Sequence, residues 1–554
     1  MDVRTGGFNG HHMNSSDVNF ASLIEELTDI GVALSAEQDH SRLLEMILSK
    51  AKELTCADGG TLYTRTEDNR LRFEIMITES LGIHRGGTSS EEIDFYPISL
   101  YGSDGKPNVH MVAAWAAISG ETVNIDDAYA DTGFDFSGTR NFDAKTGYRS
   151  KSFLTVPMRN HENEIIGVLQ LINAMDPDSG EVISFSALDQ KVVESLASQA
   201  AVTITNRSLI DAQKELFDAL IKLIASAIDE KSPYTAGHCR RVPVITNMLA
   251  DAACRIDRGP LKEFNMSTEE KYELEVAAWL HDCGKITTPE FVVDKGTKLE
   301  TIYDRIGLID TRFEVIKRDA VIEALKQRLC RLDESAEADL NNDPELADAL
   351  RDLDADREYV RQCNVGGESI TDEEIARIDA IASRQWVTPE GRRENFLSDE
   401  ERQNLQIGRG TLTVRERDII NNHVSVTIKM LESLPYPGHL RRVPEYAGGH
   451  HEKLDGTGYP HGLTGAEMSI PARMVAIADV FEALTAHDRP YKKAMPLSEA
   501  LAILGQMKVD GHIDPALFDV FMHDKIYLKY AKQYLNPEYI DTVDPESIPG
   551  YSAL

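Results

Sequence analysis

Two adjacent histidines, His450 and His451, stand near the start of a polar segment that reads GHHEKLDGTGYP over residues 449–460. Neutral imidazole binds iron, manganese or zinc, and the glycine-rich turn that follows is able to hold both rings in place. Paired histidines also occur on solvated protein surfaces. The pair therefore indicates a metal site only if other segments of the chain supply further ligands.

Four other segments carry candidate ligands at predicted helix ends or inside an apolar helix: His238 in YTAGHCRRV, His281 and Asp282 in AAWLHDCGK, His423 in RERDIINNHVSV, and Asp479 in PARMVAIADVFEAL. Gly284 is expected to end the helix that carries His281, and Lys285 follows it. A lone buried His or Asp is more often a satisfied or salt-bridged residue than a ligand. The joint pattern, rather than any single residue, favours a metal.

Taken together, the motifs YTAGHCRRV, HDCGK, HHEKLDGTGYP, ARMVAIADVFEALTAHDRPYKKA and HIDPALF resemble the HD-GYP family of phosphohydrolases. The resemblance spans about residues 215–530 and predicts a phosphohydrolase domain over residues 215–535. It implies an all-α bundle that hydrolyses cyclic di-GMP to the linear dinucleotide pGpG, and often onward to GMP. It also implies a set of metal ligands drawn from these motifs.

By this resemblance, two divalent metals are expected, and mixed imidazole and carboxylate ligands favour iron or manganese over zinc. The two ligand groups share one carboxylate: His238, His281, Asp282 and Asp479 for the first metal, and Asp282, His423, His450 and His451 for the second. Such a pair would activate a shared water and bind the attacked phosphate. A third metal would need Asp229, which stands where some family members have Glu.

The catalytic residues implied by the resemblance are Asp282 and Lys285. Lys285 is expected to contact a phosphate oxygen and to stabilise charge in the transition state. Further substrate contacts are expected from two sets of residues: the basic residues Arg241, Arg489 and Lys492, and the rim residues Gly458, Tyr459 and Pro460.

The bulk composition limits the partners of this chain. Its 554 residues carry a formal net charge of −34, which argues against nucleic acid or an anionic membrane as a partner. Six scattered cysteines without a CxxC pair indicate reduced thiols, and no apolar run approaches the length that spans a bilayer. We therefore expect a cytoplasmic protein, with a disordered leader over residues 1–19.

Residues 20–185 predict an α+β domain. The segments FDAKTGYRSKSFLTVPM and IIGVLQLINA resemble the second half of a GAF domain, closest to those of cyclic-nucleotide phosphodiesterases. The resemblance implies a pocket for a small ligand, often a cyclic nucleotide. A domain that serves only in dimerisation is an equal alternative.

Residues 186–230 predict a connecting helix, because no Pro or Gly lies between Gly180 and Pro233. Its leucines at heptad-like spacing are Leu209, Leu216, Leu220 and Leu223. This spacing favours a parallel coiled coil that joins two copies of the chain into a homodimer. The alternative is an amphipathic helix that packs on its own domain.

Residues 300–412 lie between the HD motif and His423, and the family's compact form has no such long segment. They predict a charged helical insertion that could be a lid, a docking arm, a dimer brace or a solvated helical hairpin without a catalytic role. A C-terminal tail is expected over residues 536–554.

The sequence thus predicts a multidomain protein: an α+β GAF domain, a connecting helix, and an all-α HD-type phosphohydrolase bundle with a helical insertion. The predicted function is a metal-dependent cyclic di-GMP phosphodiesterase that the GAF domain regulates. Two alternatives stay open: a phosphodiesterase for 3',3'-cyclic GMP-AMP, and a receptor that binds a cyclic dinucleotide or docks a diguanylate cyclase without hydrolysis.

Overall fold

The computed structural model describes residues 15–37, 39–231, 237–331, 343–367, 369–486 and 495–552. The chain divides into two units, Met1–Leu216 and Phe217–Leu554. Among the described residues, no helix combines the length and the apolar character that a membrane span requires.

The first unit contains an antiparallel sheet with helices on its faces. Its strands are β1 Ala57–Arg65, β2 Arg70–Thr78, β3 Ile83–Gly86, β4 Ile98–Ser99, β5 Val123–Ile125, β6 Phe153–Arg159, β7 Ile165–Met175 and β8 Val182–Ile183. The strand order is β3-β2-β1-β7-β6-β5, with β4 paired to β2 and β8 paired to β7. Its helices are α1 Ser15–Ala36, α2 His40–Thr55, α3 Val112–Ser119 and α4 Ser137–Thr146, followed by α5 Ala187–Lys231.

The alternation of side chains along the central strands divides this unit into two layers. Leu62 and Leu169, which are paired between β1 and β7, join the core formed with α2 and α5. Their neighbours Tyr63 and Val168 point to the opposite face and pack with α3. The sheet is therefore covered on both faces, as the α+β prediction requires.

A cavity of about 530 Å³ lies on the α3 and α4 side of the sheet. Tyr63, Phe73 and Phe95 line it with aromatic rings, and the centroids of Phe73 and Phe95 are 5.5 Å apart. Gln170 contributes a polar group and accepts a hydrogen bond from the Tyr63 hydroxyl. The volume of the cavity suits a small ligand.

Helix α5 matches the predicted connecting helix to within one residue at each end. The four heptad leucines are between 48% and 64% exposed. A different set of α5 residues, Ile221, Ala225 and Ile228, is buried in the core of the second unit. The leucine stripe is therefore not the face with which α5 packs on its own chain.

The second unit is mostly helical. Its elements are α6 His238–Ala253, α7 Thr268–Leu280, α8 Glu290–Val293, α9 Ile306–Arg331, α10 Pro344–Asn364, α11 Asp372–Ala382, β9 Gln385–Val387, β10 Arg393–Asn395, α12 Asp399–Leu405, α13 Val414–Asn421, α14 His423–Glu432, α15 Val443–Gly448, α16 Ile470–Thr485, α17 Leu497–Val509, α18 Pro515–His523 and α19 Ile526–Tyr534. One large apolar core joins α6, α7, α16, α17 and α18 with the last turns of α5.

The insertion has an apolar core of its own and is more than a solvated hairpin. Phe313 on α9 is fully buried, and its ring centroid lies 4.5 Å from that of Phe396. The short hairpin β9–β10 adds strands to a segment that was expected to be helical throughout. A buried lysine, Lys295, donates to Asn404 at 2.9 Å and to Glu416 on α13 at 2.8 Å, so the insertion is tied to the helix that precedes His423.

The N-terminal part of the chain differs from the expectation. Helix α1 begins at Ser15, inside the stretch that was expected to be disordered, and residues 1–14 lie outside the described residues. The C-terminal tail packs on the bundle, because Ile548 is 5% exposed and belongs to its apolar core.

The Phe313→Ala substitution should destabilise the insertion without unfolding the rest of the chain. Removal of a buried Phe ring typically costs about 3–5 kcal/mol. Native-state hydrogen exchange of the α9 and α10 amides measures the effect on local opening. Leu308→Ala, at a position on α9 that is 47% exposed, is the control and should change little. Unchanged exchange in both variants would contradict a cooperative core.

Candidate metal centre and active site

All seven predicted metal ligands lie together in the second unit. Their side-chain ligand atoms form three overlapping groups within 4.8 Å: His238, His281 and Asp479; His281, Asp282 and His450; and His423, His450 and His451. Six of the seven are buried, and His451 is partly exposed. The histidines and acids that lie far apart in the sequence therefore form one cluster.

Short local signals bring these side chains into place. A capping box between Ser267 and Glu270 begins α7, which ends at Leu280 and leaves His281 as the residue that follows. Helix α16 begins after Ser469, whose side chain caps it, and carries Asp479 in its buried middle. His423 is the first residue of α14. Helix ends thus direct most of the ligands towards one point.

Asp282 occupies the centre of the cluster. Its Oδ2 lies 3.3 Å from Nε2 of His238 and 3.2 Å from Nε2 of His281. Its Oδ1 lies 3.2 Å from Nε2 of His423 and 3.8 Å from Nε2 of His450. The two carboxylate oxygens therefore face different halves of the ligand set, which is the geometry that a shared ligand between two metals needs.

Asp479 lies beside this arrangement. Its Oδ1 is 3.2 Å from Nε2 of His238, and its Oδ2 is 4.0 Å from Nδ1 of His451. Asp479 thus contacts the first predicted ligand group through His238, and it also approaches one histidine of the second group.

Three of the imidazoles are oriented in the same way by the main chain. The Nδ1–H group of His281 donates to the carbonyl of Ala278 at 2.7 Å. His423 donates to Ile420, and His450 donates to Ala447, each at 2.5 Å. Each carbonyl belongs to the residue three positions earlier. This hydrogen bond leaves the Nε2 lone pair free to bind a metal, and it fixes the ring plane.

Several buried atoms of the cluster have no hydrogen-bond partner among the residues that the structure describes. They are Asp282 Oδ1, His423 Nε2 and His450 Nε2. A buried polar atom without a partner costs about 1–3 kcal/mol. Three such atoms point to the same place, and a bound cation would satisfy all of them. The donor set therefore fits divalent metal ions.

The protonation states also suit metal binding. Burial lowers the pKa of His450 well below its usual value, with His451 and His281 acting in the same direction. Burial likewise lowers the pKa of His451 to about 4. Burial alone would raise the pKa of Asp282, but the Lys285 ammonium and His281 hold it well below its usual range. Two imidazoles are thus neutral and the central carboxylate is ionised.

Lys285 places a positive charge at the edge of the cluster. Its Nζ lies 2.6 Å from Asp282 Oδ2, and its side chain is 19% exposed. Burial would lower its pKa, but the carboxylates of Asp282 and Asp479 raise it, so the side chain stays an ammonium.

Sequence analysis missed Glu482, which lies one helical turn after Asp479 on α16. Its side chain is fully buried and contacts His238 Nδ1 through Oε2, while Oε1 accepts from Arg241 Nε at 2.6 Å. A carboxylate behind a ligating histidine orients the ring and raises its basicity. Its spacing after Asp479 in an otherwise apolar helix was the available signal. Arg241 thus contacts Glu482, whereas we predicted a contact with substrate.

The predicted rim segment lies over His451. The ring of Tyr459 stacks on His451 with centroids 4.9 Å apart and an interplanar angle of 27°. A Cβ at Gly458 would approach the Lys453 nitrogen to 2.4 Å, so only glycine fits there. The buried Glu452 accepts from the main-chain nitrogens of His461 and Leu463, and Pro460 is partly exposed. The loop is thereby held against the cluster.

Gly284 has a different role from the helix break that we expected. A Cβ at this position would lie 2.0 Å from the His423 carbonyl oxygen and 2.6 Å from the Thr427 nitrogen. The Gly284 nitrogen donates to the Thr427 hydroxyl at 2.9 Å, and that hydroxyl donates to the His281 carbonyl at 3.1 Å. The absence of a side chain lets the segment with Asp282 pack directly on α14.

Asp229, the candidate ligand for a third metal, bonds to the main chain beside His238. Asp229 accepts from the main-chain nitrogens of Gly237 at 3.0 Å and Cys239 at 3.3 Å, and it belongs to none of the three ligand groups. Arg489 and Lys492 lie outside the described residues.

Comparison with protein families identifies two domains. A family model described as GAF domain matches residues 39–204, and a model described as HD domain matches residues 400–517. The chain therefore combines a GAF domain with an HD domain, as the motifs predicted. The HD match includes His423, His450 and Asp479. Residues His238 and His281–Asp282 precede it, and the fold brings them to the same cluster.

Three curated proteins are among the relatives. The chain is 49% identical over 82 residues to the 3'3'-cGAMP-specific phosphodiesterase 1 of Vibrio cholerae, covering 15% of this chain and 19% of that protein. It is 25% identical over 388 residues to the 3'3'-cGAMP-specific phosphodiesterase 3 of the same organism, covering 68% and 55%. It is 38% identical over 113 residues to a cyclic di-GMP phosphodiesterase of Pseudomonas aeruginosa, covering 20% and 26%. None of these matches spans two thirds of the relative.

The Glu482→Gln substitution should weaken metal binding, because an amide is a poorer partner for His238 than a carboxylate. Loss of such an outer contact typically lowers metal affinity about 10- to 100-fold. Competition with a fluorescent chelator measures the dissociation constant. Glu499→Gln, at an exposed position in the first turn of α17, is the control and should bind as the unmodified protein does. Equal metal affinities for the two variants would contradict a role of Glu482 in metal binding.

Proposed function

We propose that the chain is a metal-dependent phosphodiesterase that hydrolyses a cyclic dinucleotide. The observation that carries this proposal is the position of Asp282, whose two carboxylate oxygens face separate groups of imidazole nitrogens. This arrangement suits two divalent ions with one shared ligand. The names of the relatives, cyclic di-GMP and 3'3'-cGAMP phosphodiesterases, supply the substrate class.

The residues of the chain have separate tasks in this proposal. Two divalent ions held by the cluster would supply an activated water and contacts to phosphate oxygens. Lys285 adds a fixed positive charge beside them, where it stabilises the negative charge that develops on the attacked phosphate. The burial of the ligands keeps bulk water out, which strengthens these electrostatic interactions. Tyr459 forms the adjacent rim.

The overall charge of the protein supports a local rather than a global basis for substrate binding. A chain with a net charge of −34 repels a dianionic substrate at long range. Metals and Lys285 must therefore supply the attraction at the site itself. Because these groups contact phosphate and not the bases, they are equally compatible with cyclic di-GMP and with 3',3'-cyclic GMP-AMP.

We infer two metals rather than three, with iron or manganese as the ions. Asp229 would have to supply the third site, but each of its carboxylate oxygens accepts a main-chain hydrogen bond at the start of α6. Mixed imidazole and carboxylate ligands suit iron and manganese.

We also propose that a small ligand in the GAF cavity regulates the hydrolase, with a cyclic nucleotide as one candidate class. The aromatic rings that line the cavity would stack on a planar group. Helix α5 continues without a break from the GAF domain to the segment before His238. The exposed leucines on it would join two copies as a homodimer, and docking of a diguanylate cyclase stays a prediction.

Turnover by protein loaded anaerobically with iron or manganese tests the catalytic proposal. Cyclic di-GMP and 3',3'-cyclic GMP-AMP are assayed in parallel, and linear products are separated by chromatography. We expect metal-dependent hydrolysis of at least one compound, with at least about 1000-fold less in the Asp282→Ala variant, which loses the ligand shared by both metals. His523→Ala changes a histidine far from the cluster in sequence and should leave turnover intact.

Three outcomes of this assay are informative. A higher kcat/KM for one compound identifies the substrate. Tight binding of either compound without hydrolysis would contradict the proposed phosphodiesterase activity and favour a receptor that only binds the cyclic dinucleotide. Turnover that persists in Asp282→Ala would contradict the assigned site.

The double substitution of Leu216→Glu and Leu223→Glu should convert a dimer into monomers, because it puts like charges along the heptad face. Light scattering measures the mass, which should fall to half. Lys222→Ala, at an exposed position between them on the same helix, should leave the mass unchanged. A monomeric mass for the unmodified chain would contradict the coiled coil.

A further inference from the structure

The last turn of helix α5 is hydrogen-bonded to the main chain that follows the HD motif, His281-Asp282. The helix ends at Lys231, and its Nζ donates to three main-chain carbonyl oxygens: Lys285 at 3.0 Å, Ile286 at 2.6 Å and Thr288 at 2.5 Å. A lysine ammonium has three hydrogens, so these contacts use its full donor capacity. No sequence motif pointed to this residue.

These contacts are stronger than ordinary turn contacts. Lys231 is partly buried, and hydrogen bonds from a charged donor are roughly twice as strong as neutral ones. Lysines near a helix end commonly interact with the last carbonyls of their own helix. Lys231 instead bonds a separate segment, 54 to 57 residues later in the chain. The end of α5 is thereby attached to the main chain of Lys285.

The position of that main chain determines where the Lys285 ammonium lies. Lys285 Nζ is 2.6 Å from Asp282 Oδ2, and the Lys285 nitrogen donates to the Asp282 carbonyl at 2.9 Å. The Thr288 nitrogen donates in turn to the Lys285 carbonyl at 3.1 Å. Lys231 therefore bonds to a tight turn that contains Lys285.

The same turn of α5 also contacts the segment with His238. Asp229, which is 6% exposed, accepts from the nitrogens of Gly237 and Cys239 on either side of that histidine. Two residues of one helical turn thus bond two of the three segments that supply the first predicted ligand group. A displacement of α5 at this point would move those segments together.

We propose that Lys231 is a positioning residue that couples the end of α5 to the active site. It holds the turn after the HD motif so that Lys285 stays directed at the attacked phosphate. A rotation or shift of α5 changes the place of that turn, and thereby the rate of hydrolysis. This inference rests on the proposed phosphodiesterase function for its kinetic consequence, but the attachment itself is a property of the fold.

The test uses the full-length, metal-loaded protein and three variants. Lys231→Met keeps the length of the side chain and removes its donors, whereas Lys231→Arg keeps a positive charge and several donors. Lys222→Met, an exposed lysine on the same helix, is the matched control. The measurements are the hydrogen exchange of residues 283–289, the bound metal, and kcat and KM for cyclic di-GMP and 3',3'-cyclic GMP-AMP.

We expect Lys231→Met to speed exchange in residues 283–289 about tenfold, the effect of losing charged hydrogen bonds. Its kcat should fall about 10- to 100-fold through misplacement of Lys285, with KM and metal content within about twofold of the unmodified protein. Lys231→Arg should recover part of both effects, and Lys222→Met should show neither.

Two results would overturn the proposal. One is exchange in Lys231→Met that matches Lys222→Met. The other is faster exchange with kcat unchanged in a protein that hydrolyses its substrate. If the unmodified protein binds metal but hydrolyses neither compound, the phosphodiesterase function fails. The exchange data then still decide whether Lys231 holds the turn.

Discussion

The burial of one carboxylate, Asp282, is the constraint on which the arrangement of the second unit depends. At 1% exposure an ionised carboxylate loses its hydration, and several compensating groups must surround it. The ammonium of Lys285 provides part of that compensation, and cations held between Asp282 and the surrounding imidazole nitrogens would provide the rest. The imidazoles themselves are held by main-chain carbonyls and by Glu482. Removal of Lys285 or Glu482 would leave a buried charge without its partner, in surroundings that cannot solvate it. The site and the bundle core therefore depend on each other.

The same constraint explains how a long insertion is tolerated between Asp282 and His423. The segments that carry these residues contact each other directly, because Gly284 has no side chain and packs on α14. The insertion forms its own core around Phe313, and Lys295 attaches it to α13. It therefore adds a folded body without separating the ligands. This arrangement accounts for a family match that begins only at residue 400 although His238, His281 and Asp282 precede it.

Helix α5 connects these features to the GAF domain. One of its faces is buried in the bundle core, and its leucine stripe is exposed. Its final turn contains Asp229 and Lys231, which bond the segment with His238 and the segment that follows Asp282. A single helix thus carries an exposed leucine stripe and the contacts with two segments of the candidate site.

The sequence by itself determined the features that local chemistry specifies. Helix α5 was predicted to within a residue because it lacks Gly and Pro, and the candidate ligands were chosen because each motif carries its own histidine or aspartate. The tertiary structure alone decided the partners of those residues. Several residues owe their roles to groups that are far away in the chain. Glu482 contacts His238 and Arg241. Gly284 packs on the His423 carbonyl, and Lys231 bonds the turn that contains Lys285. The physical reason is that helix propensity and sequence motifs reflect interactions among a few neighbouring residues. A buried charge, in contrast, is compensated by groups that only the folded chain brings into contact with it.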